Sequence, residues 1–155
     1  LPEAVSLTSP SGVALSRDER TLYFSDSSRH VIWQMDLMTR TATVIAGRLD
    51  ERGSFDGVRT EATFAFPDDI ALDDAGTGLY VADSSGHSIR RIALSDFEVT
   101  TVVGRLGVSG GLGVGPSVPL DEARLYFPGG VATTGRGVLF TADEAVFEAI
   151  LTPAP

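Results

Sequence analysis

The fold is decided by a stretch that occurs twice, PSGVALSRDERTLYFSDSSRH at residues 10–30 and PDDIALDDAGTGLYVADSSGH at residues 67–87. The two copies extend to residues 49 and 106 at a constant offset of 57, and 15 of the 40 aligned positions are identical. Such agreement without a gap is far above chance, so the chain contains an internal repeat.

Each copy predicts four short strands, because apolar, aromatic and β-branched residues alternate in short runs between polar turns. Nowhere do apolar residues hold a helical period over three turns. An all-β fold of four-stranded antiparallel units, each followed by a long connector, is typical of β-propeller blades. In the first copy the predicted strands are Gly12–Leu15, Thr21–Ser25, Val31–Leu37 and Thr41–Ala46.

The constant offset also predicts a core built at matched positions of the two copies. We expect equal burial within six pairs: Val13 and Ile70, Ala14 and Ala71, Leu22 and Leu79, Tyr23 and Tyr80, Ile32 and Ile89, Met35 and Ile92.

A third copy begins 61 residues after the second, where Glu61–Pro67 recurs as Glu122–Pro128. We expect Leu139–Asp143 to match Leu79–Asp83 with one residue deleted before it, after which the copy degrades. About two and three-quarter blades are therefore predicted in one partial propeller domain. The predicted division is an inter-blade loop end (1–9), blade 1 (10–49), a connector (50–66), blade 2 (67–106), a Gly-rich connector (107–127) and an incomplete blade 3 (128–155).

The motif carried by these copies resembles the NHL repeat. It stands here as Pro10–Leu15, Leu22–Ser27, His30–Ile32 and Ala46-Gly47, and the connector from Gly53 to Phe64 is also similar to the one common in that family. The resemblance implies a circular array, usually of five or six blades, that binds proteins, RNA or small ligands, with a few enzymes among related propellers. It also implies that the remaining blades of a longer protein, or a second copy of this chain, close the ring.

Composition excludes several classes of function. The chain of 155 residues has a net charge of −9 and a pI near 4.5, which argues against a nucleic-acid binder, since that function needs a basic face. The absence of cysteine excludes disulfides, thiolate zinc sites and cysteine nucleophiles. No segment is long and apolar enough to be predicted as a membrane span, and nothing in the sequence indicates a compartment.

Candidate site residues gather on one predicted face. In a four-stranded antiparallel blade the turns between the second and third strands lie on the same side as the inter-blade connectors, where binding usually occurs. Neither catalytic nor metal- or cofactor-binding residues are predicted, and no cofactor is expected. The residues expected on this binding face are Asp26, His30, Asp56, Asp68, Asp69, Asp83 and His87.

For most of these residues a structural role is the leading interpretation. Asp26 and Asp83 are each expected to cap their own turn by accepting backbone N–H bonds, and His30 and His87 to pack and bond locally. Asp68 and Asp69 could bind a cation at the mouth of the central channel. The glycine-rich run 110–113 is a weak indication of a phosphate site, because no Lys-Ser pair follows it.

The leading functional hypothesis is a non-enzymatic scaffold that binds a protein, a peptide or another ligand through its loop-rich face. One alternative is a propeller enzyme, a lactonase-like hydrolase or a lyase, whose channel metal site is completed by further blades. The other alternative is a purely structural module of a multidomain protein.

Overall fold

A computed structural model describes residues 6–110 and 119–151 and confirms the all-β propeller fold. Within these residues there is no α-helix, and two single 3-10 turns lie at Ser27–Arg29 and Arg59–Glu61. The predicted Gly-rich run 110–113 and the two chain ends lie largely outside the described residues. The strands are β1 (Pro10–Leu15), β2 (Thr21–Asp26), β3 (Val31–Asp36), β4 (Ala42–Ala46), β5 (Gly57–Val58), β6 (Pro67–Leu72), β7 (Gly78–Asp83), β8 (Ser88–Ala93), β9 (Glu98–Gly104), β10 (Val131–Thr134), β11 (Gly137–Ala142) and β12 (Ala145–Ile150).

The strands form three antiparallel sheets, here called blades 1, 2 and 3. Blade 1 has the order β1-β2-β3-β4 and blade 2 the order β6-β7-β8-β9, with β5 of the connector added beside β9 as a fifth strand. In the part of the chain that the structure describes, blade 3 consists of β10-β11-β12. The first strand of blades 1 and 2 carries a bulge at the same place, between Pro10 and Val13 and between Pro67 and Ile70.

The cores lie between the blades. Side chains alternate across a sheet, so each blade presents one set to the preceding blade and another set to the next. Tyr23, Ile32 and Ile45 of blade 1 pack on Leu79 and Ile92 of blade 2. On its other face, blade 2 packs against blade 3 through Tyr80, Ile89 and Val103 on one side and Val131, Val138 and Phe140 on the other.

The prediction of equal burial is correct for one face and wrong for the other. Tyr23 and Tyr80 are 8% and 7% exposed, and Ile32 and Ile89 are both fully buried. Val13, by contrast, is 63% exposed while Ile70 is 3% exposed. Leu22 and Met35 are likewise only partly buried, whereas their counterparts Leu79 and Ile92 have no exposed surface. In all three pairs the residue of blade 2 faces blade 1 and is covered by it. The matching residue of blade 1 lies on the face that points away from blade 2.

The predicted match of the third copy is wrong by one residue. Ile70 pairs with Val81 in blade 2, and its counterpart Val131 pairs with Phe140, so Ala142 rather than Asp143 stands where Asp83 stands. The turn between β10 and β11 has only Gly135 and Arg136, so two residues are deleted, not one. A slip of one residue exchanges the two faces of a strand, and Phe140 is therefore buried against blade 2.

Within the described residues no helix is long and apolar enough to cross a membrane.

Candidate functional site

The turns between β2 and β3 and between β7 and β8 lie on the same face as the connector, as predicted. His30 ends the first turn and His87 the second, and both have left-handed backbones with φ of 60° and 54°. Each of these turns contacts the chain that enters the following blade, because the Nδ1 atoms of His30 and His87 accept hydrogen bonds from Phe66 N and Phe127 N. We call this side of the molecule the loop-rich face.

Asp26 and Asp83 accept backbone N–H bonds, but from a different segment than the one predicted. The Asp26 carboxylate accepts from Thr8 N and Ser9 N at 2.8 and 2.9 Å, and Asp83 accepts from Ala65 N at 2.7 Å. The expectation that each caps its own turn is therefore wrong. Both carboxylates are buried and fasten the segment that leads into the first strand of their own blade.

Asp83 also belongs to a buried ion cluster that blade 1 does not have. The fully buried guanidinium of Arg90 contacts the carboxylates of Asp83 at 3.2 Å and Asp56 at 2.6 Å, and donates to the carbonyls of Thr63 and Phe55. Burial raises the pKa of the Asp83 carboxyl to about 6, and the positive charge of Arg90 opposes that rise. The cluster ties the connector to blade 2.

Asp56, predicted on the binding face, is the second anion of this cluster. Its carboxylate also accepts bonds from the backbone N–H and the hydroxyl of Thr101 on β9, at 3.0 and 3.1 Å. With Arg90 and Thr101 as partners, Asp56 has a structural role even though 41% of its side chain is exposed.

His30 and His87 occupy equivalent positions at two successive blade junctions. The His30 ring packs edge-on against Phe66, with centroids 4.7 Å apart, and His87 packs against Phe127 at 5.0 Å. Because Nδ1 accepts a bond, each imidazole is neutral and carries its proton on Nε2. Burial first, and the charge of Arg52 second, lower the pKa of both histidines, which is consistent with the neutral form.

Asp68 and Asp69 lie at the start of β6, beside the first strands of the neighbouring blades. Asp68 accepts a bond from the Ser11 hydroxyl of blade 1, and Asp69 accepts from Val131 N of blade 3 at 3.0 Å. These two residues thus join all three blades near the axis.

The described residues do not form a cation site near the axis by themselves. Among residues 6–110 and 119–151 there is no group of three or more His, Cys, Asp or Glu side chains placed to hold a metal ion. Blades 1 and 3 contribute Ser11-Gly12 and Gly129-Gly130 at the positions of the two aspartates. Calcium takes 6–8 oxygen ligands, and one pair of hydrogen-bonded carboxylates does not supply them.

Sequence reasoning missed the exposed aromatic residues of the loop-rich face. Phe66, Tyr126 and Phe127 are 38%, 50% and 47% exposed, and Tyr126 and Phe127 pack edge to face with centroids 4.6 Å apart. The guanidinium of Arg52 lies over the Phe66 ring at 5.6 Å. A signal was available, because both phenylalanines immediately precede the proline that opens a copy of the repeat.

Arg90 was also missed, although the repeat marked it. In the alignment of the two copies it stands at the position of Trp33, so a charged residue replaces an apolar one there. A long cation in a mostly buried strand needs anionic partners, and Asp56 and Asp83 were already among the candidate residues.

The comparisons with known proteins agree with this architecture. Residues 4–105 match the family described as SMP-30/Gluconolactonase/LRE-like region. The chain is 30% identical over 151 residues to Protein SUPPRESSOR OF QUENCHING 1, chloroplastic, of Arabidopsis thaliana, covering 92% of this chain and 14% of that protein. It is 34% identical over 96 residues to NHL repeat-containing protein 2 of Homo sapiens, covering 62% of this chain and 13% of that protein.

Solved structures show the same fold at lower identity. A protein of unknown function from Bacteroides thetaiotaomicron superposes with a TM-score of 0.75 at 23% identity, over 90% of this chain and 34% of that one. A gluconolactonase from Xanthomonas campestris superposes with a TM-score of 0.60 at 21% identity, over 90% of this chain and 36% of that one. The chain thus spans about a third of these structures and about a seventh of the relatives matched by sequence.

Proposed function

The chain belongs to the SMP-30/gluconolactonase/LRE-like family of NHL-like propellers, and on that premise we propose that it is a non-enzymatic scaffold segment that binds a protein or another ligand through its loop-rich face. Propellers host unrelated functions, so the proposal depends on the surface of this chain and not on the fold.

The observation that carries the proposal is that most carboxylates of this face are held in structural bonds, while large aromatic side chains are exposed. Four carboxylates that could serve chemistry, those of Asp26, Asp56, Asp69 and Asp83, are bonded to backbone groups or to Arg90 and hold the connectors in place. The side chains left open to solvent on this face include three large aromatic ones, those of Phe66, Tyr126 and Phe127. Exposed aromatic groups on a rigid scaffold are typical of interaction surfaces.

Affinity capture with site variants tests this proposal. The full-length protein is used as bait in an extract of its source cells, in parallel with a Phe127→Glu variant on the loop-rich face and a Met38→Glu variant on the β3–β4 turn. Met38 is 83% exposed, so its variant is a matched control for added charge on the opposite side. We expect Phe127→Glu to lose captured proteins that Met38→Glu retains. Identical capture by both variants would contradict the proposal.

The second candidate is a metal-dependent lactone hydrolase, and the family match favours it. Asp68 and Asp69 are the carboxylates of this chain nearest the expected channel, so they would contribute to a metal site completed by other blades. The test is hydrolysis of gluconolactone by the full-length protein with added divalent cations. Activity that Asp68→Ala abolishes would replace the scaffold proposal with this one.

A further inference from the structure

A row of aromatic residues crosses the loop-rich face from one blade junction to the next. The turn Ser84–His87 of blade 2 lies between its two ends, because Ser84 N donates to Phe66 O and His87 Nδ1 accepts from Phe127 N. Tyr126 also stacks on His87, with centroids 6.1 Å apart, and lies next to Phe127. We call Phe66, Tyr126 and Phe127 the aromatic row.

The backbone at this row is held in a conformation that bulky residues rarely adopt. Phe66 and Phe127 have φ of 58° and 45°, each directly before a proline. The histidine of the preceding blade accepts a hydrogen bond from the backbone N–H of each phenylalanine. Strain of this kind is kept where the surrounding structure imposes it, and functional surfaces are one such place.

Arg52 supplies a positive charge at one end of the row. Its side chain is exposed and lies over Phe66, and among the described residues it has neither an ion pair nor a side-chain hydrogen bond. Arg29 and Arg48, in the neighbouring turn and connector, are by contrast each paired with a carboxylate, Arg29 with Asp50 and Arg48 with Glu51. The neighbouring imidazoles of His30 and His87 are neutral, so they do not compete with Arg52 for an anion.

The other end of the row has the opposite character. A shallow depression beside Phe127 is lined by Gly129 and by residues 141–146, and most of its lining is apolar. The exposed carboxylate of Glu144 is part of this lining, so an anionic group is disfavoured there. The charge of a ligand would therefore lie at Arg52 and its apolar groups along the row and in the depression.

We propose that the aromatic row with Arg52 is a docking site for an extended peptide segment that carries a carboxylate beside aromatic or aliphatic side chains. This inference rests on the proposed function and names the chemistry of the partner. The carboxylate pairs with the Arg52 guanidinium in the two-bond geometry that arginine favours, next to rings that exclude water. The apolar side chains pack on Phe66, Tyr126 and Phe127.

The test uses four fluorescein-labelled hexapeptides of defined composition and fluorescence anisotropy on the full chain. One peptide alternates Glu with Phe, one Lys with Phe, one Gln with Phe and one Glu with Gly. We expect the Glu-Phe peptide to bind best, and its binding to weaken as salt is raised. Preferential binding of the Lys-Phe or the Glu-Gly peptide would overturn the inference.

Variants locate the site. Arg52→Gln should weaken binding of the Glu-Phe peptide roughly tenfold, as expected for one lost charge-assisted pair, while Arg52→Lys should retain part of it. Arg59→Gln is the matched control, because Arg59 is an exposed arginine of the same connector that lies over Phe97 at 4.4 Å, away from the row. Equal effects of Arg52→Gln and Arg59→Gln would show a nonspecific charge effect and overturn the inference.

The outcomes also separate this inference from the proposed function. If another peptide class binds and Phe127→Glu abolishes that binding, the loop-rich face is a binding surface and only the partner chemistry is wrong. If none of the four peptides binds, the inference fails. The proposed function is then tested independently by the affinity-capture experiment, which compares the Phe127→Glu and Met38→Glu variants.

Discussion

Blades 1 and 2 have closely matched sequences, yet they bury different parts of themselves. Tyr23 and Tyr80 face the following blade in both cases and are equally buried. Leu79 faces blade 1 and is fully buried, while Leu22, the same residue at the same place in the repeat, is only partly covered. The comparison teaches that the unit of stability is the interface between two blades, as expected of a repeat protein.

Blades 1 and 2 also differ at one position of their third strands, where blade 1 has an aromatic residue and blade 2 a charged one. Trp33 stacks parallel to Phe24, with centroids 6.1 Å apart, and its indole N–H has no partner among the described residues. Arg90 at the matching position makes five hydrogen bonds to Asp56, Asp83 and two carbonyls of the connector. Blade 2 therefore fastens its connector with charge, whereas blade 1 presents an apolar surface at that position.

Replacing the buried arginine should have the largest effect. Arg90→Met leaves the buried carboxylate of Asp83 without its cation, and we expect a loss of about 3–5 kcal/mol in the free energy of unfolding. The double variant Arg90→Met/Asp83→Asn should recover part of that loss, because the uncompensated charge is gone. Urea denaturation measures both variants. A loss below about 1 kcal/mol in the single variant would show that the cluster does not hold the connector.

Leu22 and Leu79 occupy the same position in the repeat but differ in burial, so substituting each of them isolates the effect of burial on stability. Leu79→Ala should cost about 3–5 kcal/mol, because it opens a cavity between blades 1 and 2. Leu22→Ala removes the same atoms from a partly exposed site and should cost less than half as much. Chemical denaturation of the two variants under identical conditions gives the difference. Equal losses would mean that the face of blade 1 turned away from blade 2 is as tightly packed as the inter-blade core.

The raised pKa of Asp83 predicts that the stability of the chain depends on pH. Its pKa is raised from 3.8 to about 6 in the folded chain, so between these values the folded state binds more protons than the unfolded state. Its contribution to stability is therefore complete below pH 3.8 and is lost as the pH rises through about 6. The stability of the native chain minus that of Asp83→Asn should fall from pH 4 to pH 6. A difference that grows over this range would show that Arg90 outweighs burial and lowers the pKa instead.

The histidines at the two blade junctions should give the smallest effect. His30→Phe keeps a ring against Phe66 but removes the acceptor of its N–H, and we expect a loss of about 1 kcal/mol. His87→Phe should cost less, because its bond to Phe127 N is longer, at 3.4 Å against 3.2 Å, and lies nearer solvent. Thermal melting of both variants at pH 7 checks the order. The reverse order would indicate that the stack of His87 with Tyr126 contributes more than the hydrogen bond.

Most of the blade architecture could be predicted, while part of the candidate site could not. The strands of blade 1 lie within two residues of the predicted bounds, because strand alternation and turn residues are local signals. The third blade was misaligned by one residue, because a shortened turn preserves the composition of a strand while exchanging its faces. The partners of Asp26 and Asp83 lie 17–18 residues earlier in the chain, beyond the reach of turn-capping rules.

By itself the sequence determined the repeat, the all-β class, the position of the loop-rich face and the likeness to NHL propellers. All of these depend on periodicity and on short motifs within one copy. The tertiary structure alone decided which face of each blade is covered, that Arg90 joins Asp56 to Asp83, and that Arg52 is left beside a row of exposed rings. Those outcomes depend on contacts between copies, where the same residue acquires a different environment according to the blade that packs against it.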